Sequence, residues 1–148
     1  SFTMAQITDN WSSSRFSAFR LTPHQDLKME LMRFASKQKI QAGFIATCVG
    51  SLEQVTLRFA NEEESVTLKG HFEILSLVGT FSESSSHLHL SVADSTGKTW
   101  GGHLQDESLI YTTAEIVVGE LADTTFDRET DDSYGYKELA VKRRQKRK

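Results

Sequence analysis

The chain has 148 residues, 38% of them hydrophobic and 25% charged, which suits one soluble globular domain with a core of its own. Its net charge of −3 hides a basic C-terminus: the last seven residues hold six of the 17 Lys and Arg, leaving 11 basic against 20 acidic residues elsewhere, a net of −9. A lone Cys48 excludes a disulfide framework and points to a reducing, intracellular setting, cytoplasmic or nuclear, while the lack of any apolar run near ~20 residues argues against a membrane span.

Ser1-Phe2-Thr3 ahead of Met4 reads as a cloning remnant, and residues 1–14 as a loose polar lead-in with only Trp11 to anchor it. Arg15 to Leu21 alternates polar and apolar residues and predicts a first strand. Thr22-Pro23-His24-Gln25 then predicts a helix start, with Thr22 as cap, Pro23 in the first helical position and Gln25 completing a capping box. Leu27, Leu31, Phe34 and Ala35 form one apolar stripe, and the helix should end near Lys39, before Gly43.

From there the period is two, or the apolar runs are continuous. Ala42–Val49 predicts a buried strand closed by Gly50-Ser51. Gln54–Ala60 predicts another, with Val55, Leu57 and Phe59 on one side. Asn61 to Glu64 is a solvated turn, strands follow at 65–68 and 71–81, and then come the His-containing strand from Ser86 and its hairpin partner through Gly101-Gly102-His103. The last long one is Leu109–Leu121. About eight strands with short turns and one early helix indicate an α+β domain: a compact, mostly antiparallel sheet, curled or barrel-like, with one long packed helix. We expect this domain to occupy residues 15–136, with Tyr134 and Tyr136 packing a last short strand. A disordered basic tail should follow over 137–148.

The segment Ser86 to Leu104 carries the best candidate site. Asp94-Ser95-Thr96-Gly97-Lys98 has turn chemistry, and Gly97 suits the left-handed third position of a three-residue hairpin loop. That loop pairs Asp94 with Lys98, so Val92 faces Trp100, Leu90 faces Gly102 and His89 faces His103. Leu88, Leu90, Val92, Trp100 and Leu104 then share a core face, and His87, His89, Ser91, Gly101, His103 and Gln105 the other. His87 and His89 lie roughly 7 Å apart along the strand. His103 is about 5.5 Å from His89 across the pair. Three imidazoles at such spacing can hold one tetrahedral zinc or another divalent transition metal, with a fourth position open. A two-residue loop at Ser95-Thr96 shifts the register by one and sends His103 to the opposite face. A half-exposed polar surface that binds nothing is the bland alternative. His71, His24 and Cys48 read as structural, and no phosphate loop, nucleophile elbow or zinc-finger spacing occurs.

In chain order, Gly50-Ser51-Leu52, then Gly70-His71-Phe72-Glu73-Ile74-Leu75-Ser76-Leu77-Val78-Gly79, then His87-Leu88-His89-Leu90-Ser91 with Asp94, then Gly101-Gly102-His103 resemble the PPC domain (plants and prokaryotes conserved, DUF296) over roughly residues 15–121. The resemblance implies a compact sheet with one packed helix, assembly as a homotrimer, and a zinc-binding set at His87, His89 and His103 as in stand-alone prokaryotic members. It implies a protein-partner contact at Glu73, Ile74 and Leu75. Plant members join the domain to AT-hooks that bind A/T-rich DNA. This chain has no Arg-Gly-Arg-Pro hook, and His71 stands where plant members typically have Arg, so neither hook-mediated DNA binding nor the plant partner contact carries over directly.

Two functions are therefore expected to compete. One is a homotrimeric interaction or DNA-associated regulatory module, touching DNA only weakly through Lys142, Arg143, Arg144, Lys146, Arg147 and Lys148, which can equally serve as a localisation signal or a solvated tail. The other is a metal-dependent, zinc-type enzyme or small-ligand-binding protein, with Glu73, Glu83 or Glu115 as general base.

Overall fold

The computed structural model describes Ile7 and residues 9–145. In chain order the elements are β1 (Ser14–Leu21), α1 (Leu27–Lys37), β2 (Gly43–Arg58), β3 (Ser65–Phe81), β4 (Ser86–Ala93), β5 (Thr99–Leu104), β6 (Leu109–Leu121), β7 (Thr124–Thr130) and β8 (Lys137–Arg143). The first six strands make one sheet in the order β1-β6-β2-β3-β4-β5, and β5 returns to pair with β2. Every pairing is antiparallel. Strands β2 to β5 thus close a ring while β1 and β6 fan out from it, so the sheet is curled without being a full barrel.

Sequence pattern explains the curl. Strands β2 and β3 are long, 16 and 17 residues. Their ladders carry bulges, among them one at Leu52/Gln54 in β2 and one at Ile74/Ser76 in β3. A bulge bends its strand and sharpens the twist. The glycine-serine pair at Gly50-Ser51, expected to end a strand, instead lies inside β2 beside such irregularities. Two expected strands therefore merge into β2, and two more merge into β3.

The core lies between the concave face and the helix. Leu27, Leu31 and Ala35 of α1 are fully buried, against Leu52, Val55, Leu57, Ile110 and Ile116 from the sheet. Each of these Leu, Val and Ile side chains contributes about 1.5–3 kcal/mol through burial. The helix begins one turn later than Thr22 would place it. Gln25 Oε1 does accept from the Thr22 backbone N–H at 2.8 Å, but it closes a tight turn whose third residue, His24, is left-handed. The cap is Asp26, which accepts from the Met29 N–H. At the other end Lys39 is left-handed, and the Lys39 and Ile40 N–H groups donate back to Ser36 and Ala35. That is a Schellman ending. The helix is short, 11 residues, rather than long.

The C-terminus departs most from expectation. Residues 137–143 are not a disordered tail: they form β8, paired along its whole length with β7. Lys142 lies 2.6 Å from Glu129 and 3.4 Å from Asp127. Arg144 donates to the Thr124 and Leu121 carbonyls and to Glu120. Lys146, Arg147 and Lys148 lie outside the described residues.

Candidate metal centre

The hairpin that carries the histidines is set first by its turn. Gly97 has φ +84°, and the Asp94 N–H donates to the Lys98 carbonyl. One carboxylate oxygen of Asp94 accepts from Thr96 N–H, Thr96 Oγ1 and Lys98 N–H. The three-residue loop therefore forms, and the ladder runs from Ala93↔Thr99 through Val92↔Trp100 and Leu90↔Gly102 to His89↔His103. Leu88, Leu90, Val92 and Leu104 point into the core. His87, His89 and His103 share the opposite face.

On that face the three rings meet. Their candidate ligand nitrogens all lie within 4.8 Å of one another. His89 Nε2 and His103 Nδ1 are 3.2 Å apart. Ligand nitrogens around a tetrahedral zinc, with Zn–N near 2.0–2.1 Å, sit about 3.3 Å apart. One pair is already at that spacing, and the His87 nitrogen lies within 4.8 Å of both. The donor set thus fits a divalent transition metal with one position left for another ligand. Desolvation lowers the pKa of His87, helped by the charges of His89, Arg128 and Arg58 against a smaller opposing effect of Glu138. Desolvation also lowers His103, followed by Arg58, His89 and His87. Both rings are therefore held neutral around pH 7, the form that ligates a metal.

Two further strands complete the surroundings. Strand β5 pairs with β2 at Leu57↔Leu104 and Arg58↔His103. Gly102 permits this approach, because a Cβ there would meet the Arg58 carbonyl oxygen at 2.7 Å. A cleft of about 590 Å³ opens beside His87 and His103, and its walls include Arg58, Glu62, Arg128, Tyr136, Lys137 and Glu138. The last four come from the β7–β8 hairpin, which docks through a bond from the Phe126 N–H to the Gln41 carbonyl.

The other candidates lie elsewhere. Glu73 and Leu75 are exposed on β3, whereas Ile74 is 6% exposed and belongs to the core. Glu83 accepts from the Gln41 side chain, and neither it nor Glu73 or Glu115 lines the histidine cleft. His71 stacks on Tyr111, with ring centroids 4.1 Å apart. His24 Nδ1 is 2.6 Å from Glu53. Burial pushes the Cys48 thiol up to about 11, which rules it out as a nucleophile near neutrality. Sequence reasoning missed Arg58, Arg128 and Glu138, since each reaches the site through a pairing distant along the chain.

Comparison with known proteins agrees with this architecture. The model of the Plants and Prokaryotes Conserved (PCC) domain matches residues 9–122. The bifunctional protein GlmU of Synechococcus sp. (strain JA-3-3Ab) is 50% identical over 131 residues, 88% of this chain, and the chain spans 21% of that relative's length. AT-hook motif nuclear-localized protein 4 of Arabidopsis thaliana is 32% identical over 114 residues, 66% of this chain and 27% of that protein. The solved structure of a hypothetical protein from Salmonella enterica superposes with a TM-score of 0.90 at 41% identity, covering 92% of this chain and 99% of that one. The chain belongs to the Plants and Prokaryotes Conserved domain family.

Proposed function

We propose that the protein is a self-associating module of this family that holds one divalent transition metal, zinc first, on His87, His89 and His103. The observation that carries this is the convergence of three ring nitrogens within 4.8 Å on one exposed sheet face. Structural imidazoles are usually engaged with carbonyls or carboxylates, as His24 is with Glu53. These three face one another. Bound there, zinc would offer a Lewis-acidic position towards the cleft. Metal analysis of protein purified without added metal tests this. Close to one equivalent is expected, falling by at least tenfold in His89→Ala; less than about a tenth of an equivalent in the wild type overturns the site.

Self-association is supported by apolar side chains on the outside of adjacent strands: Val49 on β2, Leu75 and Val78 on β3, and Tyr111 on β6 are all exposed. We place the contact on that surface, with Glu73 and Leu75 in it, and infer a homotrimer. Light scattering that shows a monomer at micromolar concentration overturns it. DNA association fits less well. Of the C-terminal cations, Lys142 and Arg144 already face carboxylates, and the domain itself is acidic. Contact with DNA would be weak, sequence-independent and lost at moderate salt.

A metal-dependent enzyme is the second reading, and Glu138 favours it. Its carboxylate lines the cleft and acts on His87. A metal lowers the pKa of bound water to about 7, and Glu138, on the wall of the same cleft, would act as base towards it. Hydrolysis of model esters or phosphoesters by zinc-loaded protein that is unaltered in Glu138→Gln overturns that role.

A further inference from the structure

We infer that the cleft beside the histidines takes a small carboxylate- or phosphate-bearing molecule, gripped by Arg58 and Arg128, with one of its oxygens towards the metal's remaining position. Only the metal contact rests on the proposed metal site; the grip of the two arginines does not.

The two guanidinium groups flank the histidines by construction of the sheet. Arg58 is the ladder partner of His103. Arg128 donates to Thr80 Oγ1 at 3.4 Å, and Thr80 is the ladder partner of His87. Each arginine thus sits against one end of the trio, and their charges act on it from both sides. Neither forms an ion pair with a described carboxylate, and the other cations of the cleft, Lys28 and Lys137, form none either. Arg15, Arg33, Lys142 and Arg144, by contrast, all do. Among the described residues, the Arg58 side chain makes one bond, to the Glu62 carbonyl at 3.1 Å, and the Arg128 side chain one, to Thr80. Most of their donors meet no acceptor among the described residues.

The rim also carries Glu62, Glu63 and Glu138, so the protein groups of the cleft number four cations against three carboxylates. That balance is already positive, and a divalent metal on neutral imidazoles would add two further positive charges. A volume of about 590 Å³ is that of a small-molecule site. The planar guanidinium fork matches two oxygens of a carboxylate or phosphate. The family match ends at residue 122, so Arg128, Tyr136, Lys137 and Glu138 lie outside it. One of the two gripping arginines and part of the wall are therefore carried by the C-terminal hairpin, outside the part that defines the family.

Calorimetric titration of the zinc-loaded full chain, freed of excess zinc, with inorganic phosphate and separately with malonate tests this. At least one of them should bind, and the stronger names the ligand class. Arg128→Gln should keep its zinc and its thermal midpoint while losing roughly tenfold in affinity, the loss expected for one charge-assisted contact. Arg58→Gln should do the same, and Arg58→Lys should recover part of it. If zinc is bound but neither anion is, or if both Gln variants bind as the wild type does, the inference fails and the metal site stands. If the wild type holds no zinc, the metal site fails, and titration of the metal-free protein decides the cleft alone: arginine-dependent binding upholds it, and no binding overturns it.

Discussion

Two charged clusters in this molecule are built on opposite plans. Around Glu120, 5% exposed, opposite charges and donors converge: Arg15 at 2.7 Å, the Gln41 N–H at 2.9 Å and Arg144 at 3.4 Å. Burial alone would raise this carboxyl, but the Gln41 bond and the two guanidinium groups outweigh it and hold its pKa below 4.5. The cluster is satisfied without any ligand. It ties β1, the start of β2 and the end of the C-terminal hairpin together. At the histidine face the same residue class is repeated three times, next to two arginines, and desolvation with the neighbouring positive charges lowers the pKa of His87 and His103. Complementary charge marks a structural joint here, and repeated like groups mark a place that awaits a partner.

The largest effect should come from breaking the joint. Glu120→Ala leaves the Gln41 N–H without its acceptor and frees two guanidinium groups, of which Arg144 is only 33% exposed. We expect a loss of about 2–4 kcal/mol in denaturant unfolding, below the upper range for buried pairs because Arg15 stays well solvated. Acid should sharpen the contrast. A carboxyl with a lowered folded pKa stabilises fully above its unfolded value, and that contribution disappears as pH falls through the lower folded value. Stability should therefore drop below about pH 4.5 in the wild type and less steeply in Glu120→Gln. Equal slopes would show that Glu120 is not the group titrating.

The second effect belongs to the histidines and has the opposite dependence on ligand. Zinc at about 100 times its dissociation constant should stabilise the fold by about 2.7 kcal/mol. For a chain of this size that raises the thermal midpoint by about 5–10 °C. His89→Ala should remove the zinc-dependent rise, while its metal-free midpoint moves much less. A rise that persists in the variant would place the metal elsewhere. Glu120→Ala should behave in reverse, losing stability with and without zinc.

The histidine hairpin was legible in the sequence because everything that sets it is local. Asp94 to Lys98 dictates the loop, and Leu88, Leu90 and Val92 dictate which face is buried. The helix start was legible only in part. Thr22 and Gln25 make a capping-box bond, yet they spend it on closing a turn, and Asp26 performs the capping. Gly50 misled for a different reason. It reads as a strand terminator, but a Cβ there would meet the Thr113 carbonyl oxygen at 2.1 Å, so the glycine lets β2 and β6 approach. The cleft was not legible. Arg58 reaches His103 through the closure of β5 on β2, and Arg128 and Glu138 arrive on a hairpin whose second strand lies in the stretch expected to be a disordered basic tail. Two of its cations, Lys142 and Arg144, instead face Asp127, Glu129 and Glu120.

The smallest effect asks whether the turn or the core fixes the register on which the three rings depend. At φ +84° Gly97 is in the left-handed region, and nothing lies within 4 Å of where its Cβ would be. Gly97→Ala therefore costs backbone strain alone, about 1 kcal/mol, with no clash to confuse the result. Because β3 also holds β4 in register, slipping the β4–β5 ladder by one residue would turn Leu104 and the half-buried Trp100 of β5 out to solvent, at about 1.5–3 kcal/mol for Leu104 alone. The core should win by that margin. The variant should lose about 1 kcal/mol in denaturant unfolding and still bind one zinc per chain. Loss of zinc from a folded Gly97→Ala protein would mean that the loop, and not the apolar face, brings His103 to His89.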